Sequence, residues 1–318
     1  MSWFSRFKKD VAIDFQSNKD SDDFVLLTWD SCRYDAFIKA KKPNLDPYGV
    51  ARKATAMATF TMPAHAAMFQ GFLPHCFHDE PLYNRYVQQL WRVSHRRVHT
   101  KPLVAIPPHT KNIIQGLRNR GYYTSGVGAM YWFRDAKFLK DGFKHFTVTG
   151  YNGRLQNEIL LNRITKHAKN KPVFGFINYG ETHSPFHHAD MVERKKEIDS
   201  RFSLGRLFNQ KGLKSNEWRF DQEAFDMQVS CAEFLDARAG ELIAYFKNRG
   251  RPTTFVVCAD HGECLGEDGL YGHAIYHEKV MEIPLLIFRI NAPAHPAPEV
   301  IEERVKAAAA TTLTQGIV

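Results

Sequence analysis

Long hydrophobic runs are absent from this 318-residue sequence. Its longest apolar stretches, such as 24–29 and 284–290, are much shorter than the roughly 20 residues of a membrane-spanning helix. The first fifteen residues also lack the apolar centre and the small-residue cleavage site of a secretory signal. We therefore expect neither a transmembrane span nor a cleaved leader.

Cysteine is scarce, with five residues in the chain and no paired spacing among them. An odd number of cysteines without a signal peptide predicts reduced thiols and a cytoplasmic protein. We treat 1–23 as a basic N-terminal segment, because Trp3, Phe4 and Phe7 are interspersed with basic residues over 1–15. Such an amphipathic segment either docks on the protein itself or contacts a membrane surface peripherally.

Charge is not concentrated in one region, although the net charge is +9. The basic residues are scattered apart from 94–101 and 193–201, which is typical of a solvated surface. The positive excess still suits an acidic partner. We predict a small anionic phosphorylated substrate, and a basic nucleic-acid-binding module without catalysis is the less favoured alternative. No pattern indicates an oligomeric state.

Short runs rich in β-branched and apolar residues predict five strands, at 24–29, 122–129, 172–180, 253–260 and 283–290. Helical spacing of apolar residues predicts helices over 110–121 and 223–250, each closed by a glycine. Strands that alternate with helices predict an α/β fold, with a mainly parallel central sheet covered on both faces in three α/β/α layers.

The domain organisation follows from where this pattern begins and ends. We expect one domain over 24–318, because no second domain follows the last predicted strand. Two segments, 75–110 and 187–222, are predicted to form a cap or insertions over the sheet edge. A solvated excursion without a role is the alternative for the second of these segments.

Acidic residues and histidines follow three of the predicted strands directly. Parallel strands deliver such residues to one rim of the sheet, where ligands bind in open α/β folds. Carboxylate oxygen and imidazole nitrogen together suit zinc, manganese or a similar divalent ion. For each residue alone, a helix cap or a turn is the simpler interpretation. The residues are Asp30, Glu181, His183, Asp260, His261 and Glu263.

The stretch TFTMPAHAAMFQG, at 59–71, places Thr61 at a predicted helix start, with Pro63 in the first turn. Thr is a suitable N-cap, and Pro suits the first turn because its missing N–H has no partner there. The same position suits a nucleophile, since free backbone N–H groups at a helix N-terminus bind anions.

Several segments together resemble the alkaline phosphatase superfamily, in its sulfatase-like and nucleotide phosphodiesterase branches. In chain order they are LLTWDSCRYDAF, TFTMPAHAAMFQGFLP, IIQGLRNRGYYTSGVGAMYWF, FINYGETHSPF and VVCADHGECLGEDGLYGHAIYHEKVMEIPLLIF. The resemblance runs from about residue 24 to residue 290 and implies an alkaline-phosphatase-like catalytic domain.

The resemblance implies that Asp30, Asp260 and His261 bind one divalent metal ion, with Thr61 as nucleophile and fourth ligand. A metal contact activates a hydroxyl that is otherwise a poor nucleophile. Zinc or manganese is favoured over magnesium or calcium. This role for Thr61 now takes precedence over simple capping.

The resemblance also implies roles for His183 and His273. They either bind a second ion together with Glu181, which we slightly favour, or contact the substrate phosphate directly. His187 and His277 are rivals for these positions and stay unassigned.

Arg33 and His65 are candidate substrate-binding residues. Arg33 follows Asp30 by three residues and is suited to an anion; a salt bridge to a neighbour such as Asp35 is the alternative. His65 lies in the frame Thr-x-Pro-x-His. Sulfatases of the superfamily carry Cys-x-Pro-x-Arg, or serine in place of cysteine, so this frame is closer to the phosphodiesterase branch.

These residues predict a metal-dependent hydrolase of phosphate esters, either monoesters, diesters or phosphonate esters, that acts through a covalent threonine intermediate. A transferase that passes the phosphoryl-linked group to an alcohol or amine shares the first half-reaction. A sulfatase is a further alternative, which the missing cysteine disfavours.

Overall fold

The structure is a computed structural model that describes residues 22–70, 112–191 and 220–292. The strands in this part of the chain are β1 Asp23–Trp29, β2 Arg52–Thr55, β3 Tyr123–Gly128, β4 His145–Val148, β5 Val173–Tyr179, β6 Thr253–Ala259, β7 Cys264–Leu265, β8 Tyr271–Gly272 and β9 Glu282–Ile290. The α-helices are α1 Tyr34–Lys39, α2 Thr61–Gln70, α3 Ile113–Asn119, α4 Trp132–Asp135, α5 Gly153–His167, α6 Gln222–Arg249 and α7 Glu278–Met281.

A seven-stranded sheet in the order β2-β9-β6-β1-β5-β3-β4 forms the centre of the described fold. Its neighbours pair in parallel from β6 through β1, β5 and β3 to β4, whereas β9 runs antiparallel to both β6 and β2. The prediction of a mainly parallel sheet is therefore confirmed.

The two faces of the sheet are covered by different helices because successive strand residues point in opposite directions. On β5, Ile177 and Tyr179 pack in one apolar cluster with α5 and α6, whereas Phe174 and Phe176 pack in another with α2, α3 and α4. Helices on both faces confirm the predicted α/β/α layering.

The predicted strands and helices all exist, with ends that differ by at most three residues from the expected ones. Elements that the sequence did not predict include β2, β4 and α5. β2 is a short, largely exposed edge strand without an apolar face, so it has no hydrophobic signal. α5 did carry a signal, since Asn152 caps its N-terminus by accepting a hydrogen bond from Leu155 N.

Several expectations fall outside the described residues, namely nearly all of the N-terminal segment 1–23, the segment 75–110 and most of 187–222. In the described part of the chain, no helix combines the length and apolarity needed to cross a bilayer. Four of the five cysteines are described, and each is a buried free thiol.

Candidate active site

The candidate site lies where three adjacent strands end. β1 lies between β5 and β6, with Trp29 paired to Tyr179 on one side and to Ala259 on the other. The residues that follow these strands are therefore neighbours, and Asp30 enters the site between Gly180 and Asp260. This convergence at the carboxyl ends of the strands is the one expected from the sequence.

Asp30, Asp260 and His261 form a compact, fully buried cluster in which one ligand atom from each lies within 4.8 Å of the others. Thr61 joins them from the first turn of α2. Its Oγ1 is 3.3 Å from Asp30 Oδ2 and 3.4 Å from His261 Nε2. The structure thus brings the predicted nucleophile and the three predicted metal ligands together.

The cluster fits a divalent cation. Two carboxylates and one imidazole converge in a site without solvent exposure, and Asp260 Oδ2 is buried without a hydrogen-bond partner in the described structure. Burial and the negative charge of Asp30 raise the pKa of Asp260 well above its usual range. Such a group is costly on its own, and a bound cation would supply the missing partner. The donor atoms, two oxygens and a nitrogen, suit zinc or manganese.

The hydrogen bonds around the cluster orient its ligand atoms. His261 Nδ1 lies 2.9 Å from Gly262 O, and a carbonyl only accepts, so this nitrogen carries the proton. The lone pair of His261 Nε2 therefore faces the cluster, as a metal ligand requires. Asn178 Nδ2 donates to Asp30 Oδ2 over 3.0 Å, and Asp260 Oδ1 accepts from the backbone N–H of His261 over 3.0 Å.

Gly262 is required for this arrangement. A Cβ at this position would collide with Lys279 O. The backbone instead approaches α7 closely enough for Gly262 N to donate to Val280 O over 2.7 Å. The close approach explains why glycine follows the Asp260–His261 pair.

His65 does not have the geometry of a substrate-binding residue. Its ring is fully buried, Nδ1 donates to Thr61 O over 2.8 Å, and Nε2 accepts from Thr28 Oγ1 over 3.0 Å. Burial lowers its pKa to about 4, so the ring is neutral near pH 7. Because both nitrogens are in use, His65 instead ties the backbone of Thr61 to β1.

Arg33 likewise has no free donor group facing a substrate. Its guanidinium is 2% exposed and forms ion pairs with Asp35 at 2.7 Å and Glu267 at 2.5 Å. The structure therefore favours the salt-bridge alternative over substrate binding. Arg33 also contacts the rings of Phe220 and Phe225, which leaves it packed on all sides.

Glu181 does not join His183 and His273 in a second metal cluster. Its Oε1 accepts from Gly153 N over 2.6 Å, at the start of α5. The carboxylate that contacts His273 is Glu263, with 3.2 Å between Glu263 Oε1 and His273 Nδ1. No second group of three or more suitable ligands exists among the described residues.

Glu263 and His273 each favour the charged form of the other. Burial alone would raise the pKa of Glu263, but the hydrogen bond and the charge of His273 outweigh it and lower that pKa. Burial works against protonation of His273 as well, yet Glu263 raises its pKa. His273 is thereby favoured as a cation, which suits contact with a phosphate oxygen.

His183 and His273 lie side by side next to the metal cluster. Their ring centroids are 5.1 Å apart, and those of His273 and His261 are 4.6 Å apart. The unassigned rival His277 instead caps α7, with Nδ1 accepting from Lys279 N. The structure thus brings His183 and His273 together, as predicted, but without Glu181 between them.

A family model described as Sulfatase matches residues 22–313. The chain belongs to the sulfatase family. Within the alkaline phosphatase superfamily, this sulfatase-family chain has the expected fold. A search of curated proteins finds no match.

Solved structures similar to this sulfatase-family chain are distant in sequence. The C-terminal periplasmic domain of the phosphoethanolamine transferase EptC from Campylobacter jejuni is 14% identical, with a TM-score of 0.56 over 85% of this chain and 80% of that one. The putative sulfatase yidJ from Bacteroides fragilis is 16% identical, with a TM-score of 0.57 over 84% and 68%. The lipoteichoic acid synthase LtaP from Listeria monocytogenes is 14% identical, with a TM-score of 0.51 over 86% and 67%. At this sequence identity, the similarity to these structures concerns the fold alone. The cytoplasmic location of this chain stays a prediction.

Two residues that hydrogen-bond to the site residues and loops, Asn178 and Gln228, were not predicted from the sequence. Asn178 occupies a predicted apolar strand and holds Asp30. Gln228 of α6 donates to Ser31 O and Thr182 O, both at 2.9 Å, and so fixes the two loops that follow β1 and β5. A polar amide within an otherwise apolar strand or helix face was the available signal.

Proposed function

We propose that this sulfatase-family chain is a metal-dependent enzyme that cleaves phosphate esters, with Thr61 as the nucleophile. The observation that carries the proposal is the position of Thr61 Oγ1, which lies within 3.5 Å of both Asp30 and His261 inside the metal-ligand cluster. A hydroxyl at the N-terminus of a ten-residue helix also has backbone N–H groups beside it that suit a phosphate oxygen.

The residues fall into separate roles. Asp30, Asp260 and His261 would hold one divalent ion, which supplies Lewis-acid activation of the hydroxyl and neutralises charge on phosphorus. Thr61 Oγ1 forms the bond to phosphorus while the bond from phosphorus to the leaving oxygen breaks. Asp30 Oδ2, at 3.3 Å, is placed to accept the threonine proton.

The histidines supply the opposite side of the site. Glu263 raises the pKa of His273, and a protonated His273, together with His183, suits the non-bridging phosphate oxygens or the leaving oxygen. Water then attacks the phosphothreonine, the bond between phosphorus and Thr61 Oγ1 breaks, and the threonine oxygen regains a proton. Because a second cluster of ligands is missing among the described residues, we propose one ion rather than two.

Detection of the covalent intermediate tests the proposal. The wild-type enzyme is mixed with an aryl phosphate ester, quenched with acid and examined by intact-mass and peptide mass spectrometry. We expect a phosphoryl group on Thr61. Thr61→Ala should bind metal normally but lose both the adduct and turnover, whereas the matched variant Thr61→Ser should retain part of both. Turnover at the wild-type rate by Thr61→Ala would end the proposal.

Transfer to an acceptor other than water is the second candidate. It is supported by the similarity of the fold to proteins described as phosphoethanolamine transferases and a lipoteichoic acid synthase. Product analysis with and without added alcohols or amines distinguishes the two, since a transferase forms the new ester at the expense of free phosphate. Parallel assays on aryl sulfate and aryl phosphate rank the sulfatase alternative.

A further inference from the structure

Tyr151 enters the site from a part of the chain to which neither the motifs nor the family resemblance drew attention. It lies in the turn between β4 and α5, and its ring lies against Gly180, at the carboxyl end of β5. A Cβ on Gly180 would collide with the Tyr151 ring, so the backbone there leaves room for it. The half-buried Tyr151 side chain thereby reaches the loop that carries His183.

The Tyr151 hydroxyl contacts His183, and the direction of that hydrogen bond can be assigned. Tyr151 Oη lies 3.0 Å from His183 Nδ1, which is also 2.6 Å from Ser184 O. The Ser184 carbonyl only accepts, so Nδ1 carries a proton whether the ring is neutral or cationic. The Tyr151 oxygen therefore accepts a share of that N–H.

This assignment leaves the hydrogen of the Tyr151 hydroxyl available. Among the described residues, Tyr151 Oη has no hydrogen-bond partner other than His183. The Nε2 atom of His183 also has no hydrogen-bond partner there. Both groups are held through one side, and each leaves a polar atom that can hydrogen-bond to a bound ligand.

The surroundings of Tyr151 keep it a donor and connect it to the candidate metal cluster. Burial, and then the charges of Asp30 and Glu263, raise its pKa far above the usual range, so the hydroxyl stays protonated. A continuous row of ring contacts leads from Tyr151 through His183 and His273 to His261.

We propose that the Tyr151 hydroxyl donates a hydrogen bond to a non-bridging phosphate oxygen of the substrate, beside His183 and His273. Tyr151 is then a catalytic residue and not only a support for His183. This inference rests on the proposed function, because it assumes a phosphoryl group in the site. A donor aimed at an anionic oxygen contributes most when charge builds up there, in the transition state.

The variant Tyr151→Phe tests the inference because it removes the hydroxyl and keeps the ring against Gly180. Tyr245→Phe is the matched control. Tyr245 also hydrogen-bonds through its hydroxyl, to Thr165 Oγ1 at 2.9 Å, but lies near the end of α6 away from the site. Enzyme reconstituted with Zn²⁺ or Mn²⁺ is assayed on an aryl phosphate, and inhibition by inorganic phosphate is measured for each variant.

We expect kcat/KM to fall and the inhibition constant for phosphate to rise by about 10- to 100-fold in Tyr151→Phe, as is usual for loss of a hydrogen bond to a charged group. The control should stay within about twofold of the wild type, and both variants should keep the wild-type Tm. If Tyr151→Phe matches the control while the wild type cleaves phosphate esters, the inference fails and the proposed function stands. If the wild type cleaves none, the proposed function itself fails.

A double-mutant cycle separates phosphate contact from mere support of His183. Tyr151→Phe is combined with His183→Ala, and the inhibition constant for phosphate is measured in all four proteins. A direct contact predicts that loss of the hydroxyl still weakens phosphate binding several-fold when His183 is absent. No further effect in the His183→Ala background would show that Tyr151 acts only through His183 and would overturn the inference.

Discussion

Asp260 offers the clearest test of the metal centre, because its two oxygens have different environments. Oδ1 accepts backbone hydrogen bonds, whereas Oδ2 is buried and has none in the described structure. Asp260→Asn keeps the accepting oxygen, removes the negative charge beside Asp30 and places an N–H₂ group 3.5 Å from His261 Nε2, which can accept from it. The substitution should therefore stabilise the metal-free protein while it removes a metal ligand.

The magnitude follows from the cost of an unpaired buried group. Leaving such a group unsatisfied costs about 1–3 kcal/mol, and more when it is charged. We expect the free energy of unfolding of the metal-free protein to rise by about that amount, which is a few degrees in Tm. In the wild type, metal at about 100 times its Kd should add about 2.7 kcal/mol. The variant should gain much less at the same concentration.

Thermal unfolding with chelator and with added Zn²⁺ or Mn²⁺ measures both effects. Asp236→Asn is the matched control, since Asp236 is equally buried but accepts hydrogen bonds through both oxygens, from Asn44 and Leu45. There, the same substitution should destabilise the protein and leave the metal-induced shift unchanged. If Asp260→Asn lowered the Tm of the metal-free protein like the control and kept the full metal-induced shift, the assignment of Asp260 as a ligand would be wrong.

Two further substitutions test the assignments around the site. Glu263 raises the pKa of His273, and the protonated form of His273 is lost as pH rises through that pKa. Glu263→Gln should therefore move the alkaline limb of the kcat/KM profile to lower pH. An unmoved limb would contradict the role of His273. Arg33→Met should lower the free energy of unfolding by roughly 2–4 kcal/mol, somewhat less than the loss of one partner from a fully buried ion pair, because Asp35 is partly exposed. KM should stay within about twofold of the wild-type value. A large rise in KM with normal stability would restore Arg33 as a substrate-binding residue.

Much of the fold could be predicted because each buried strand has a hydrophobic run of its own. The strand from Val173 to Tyr179 is buried at every position, and its length and flanking residues identify it. The edge strand Arg52–Thr55 has no such run, because its pairing with β9 comes from backbone hydrogen bonds that any residue can form. Helix Gly153–His167 was predictable, from its Asn152 cap and the buried pair Leu160 and Ile164 four residues apart, but was missed.

The candidate metal cluster was easier to predict than the residues around it for a geometric reason. Asp30 and Asp260 directly follow adjacent parallel strands, so the sheet itself fixes their positions. Glu181 is the second residue after β5, and its side chain contacts the backbone of Gly153. Two residues further along, the chain is already in a turn, and the sequence does not state which way a side chain points.

The comparison of Glu181 with Glu263 shows what decides which carboxylate pairs with His273. Both are buried carboxylates near a rim histidine, and the sequence distance favoured Glu181 as the partner. The start of α5 has free backbone N–H groups, and Glu181 Oε1 accepts from one of them, which holds this carboxylate at the helix start. Glu263 finds no helix start and pairs with His273 instead. Because α5 was not predicted, the hydrogen bond from its first N–H group to Glu181 was not expected either. An error in secondary structure thus became an error in the assignment of the site.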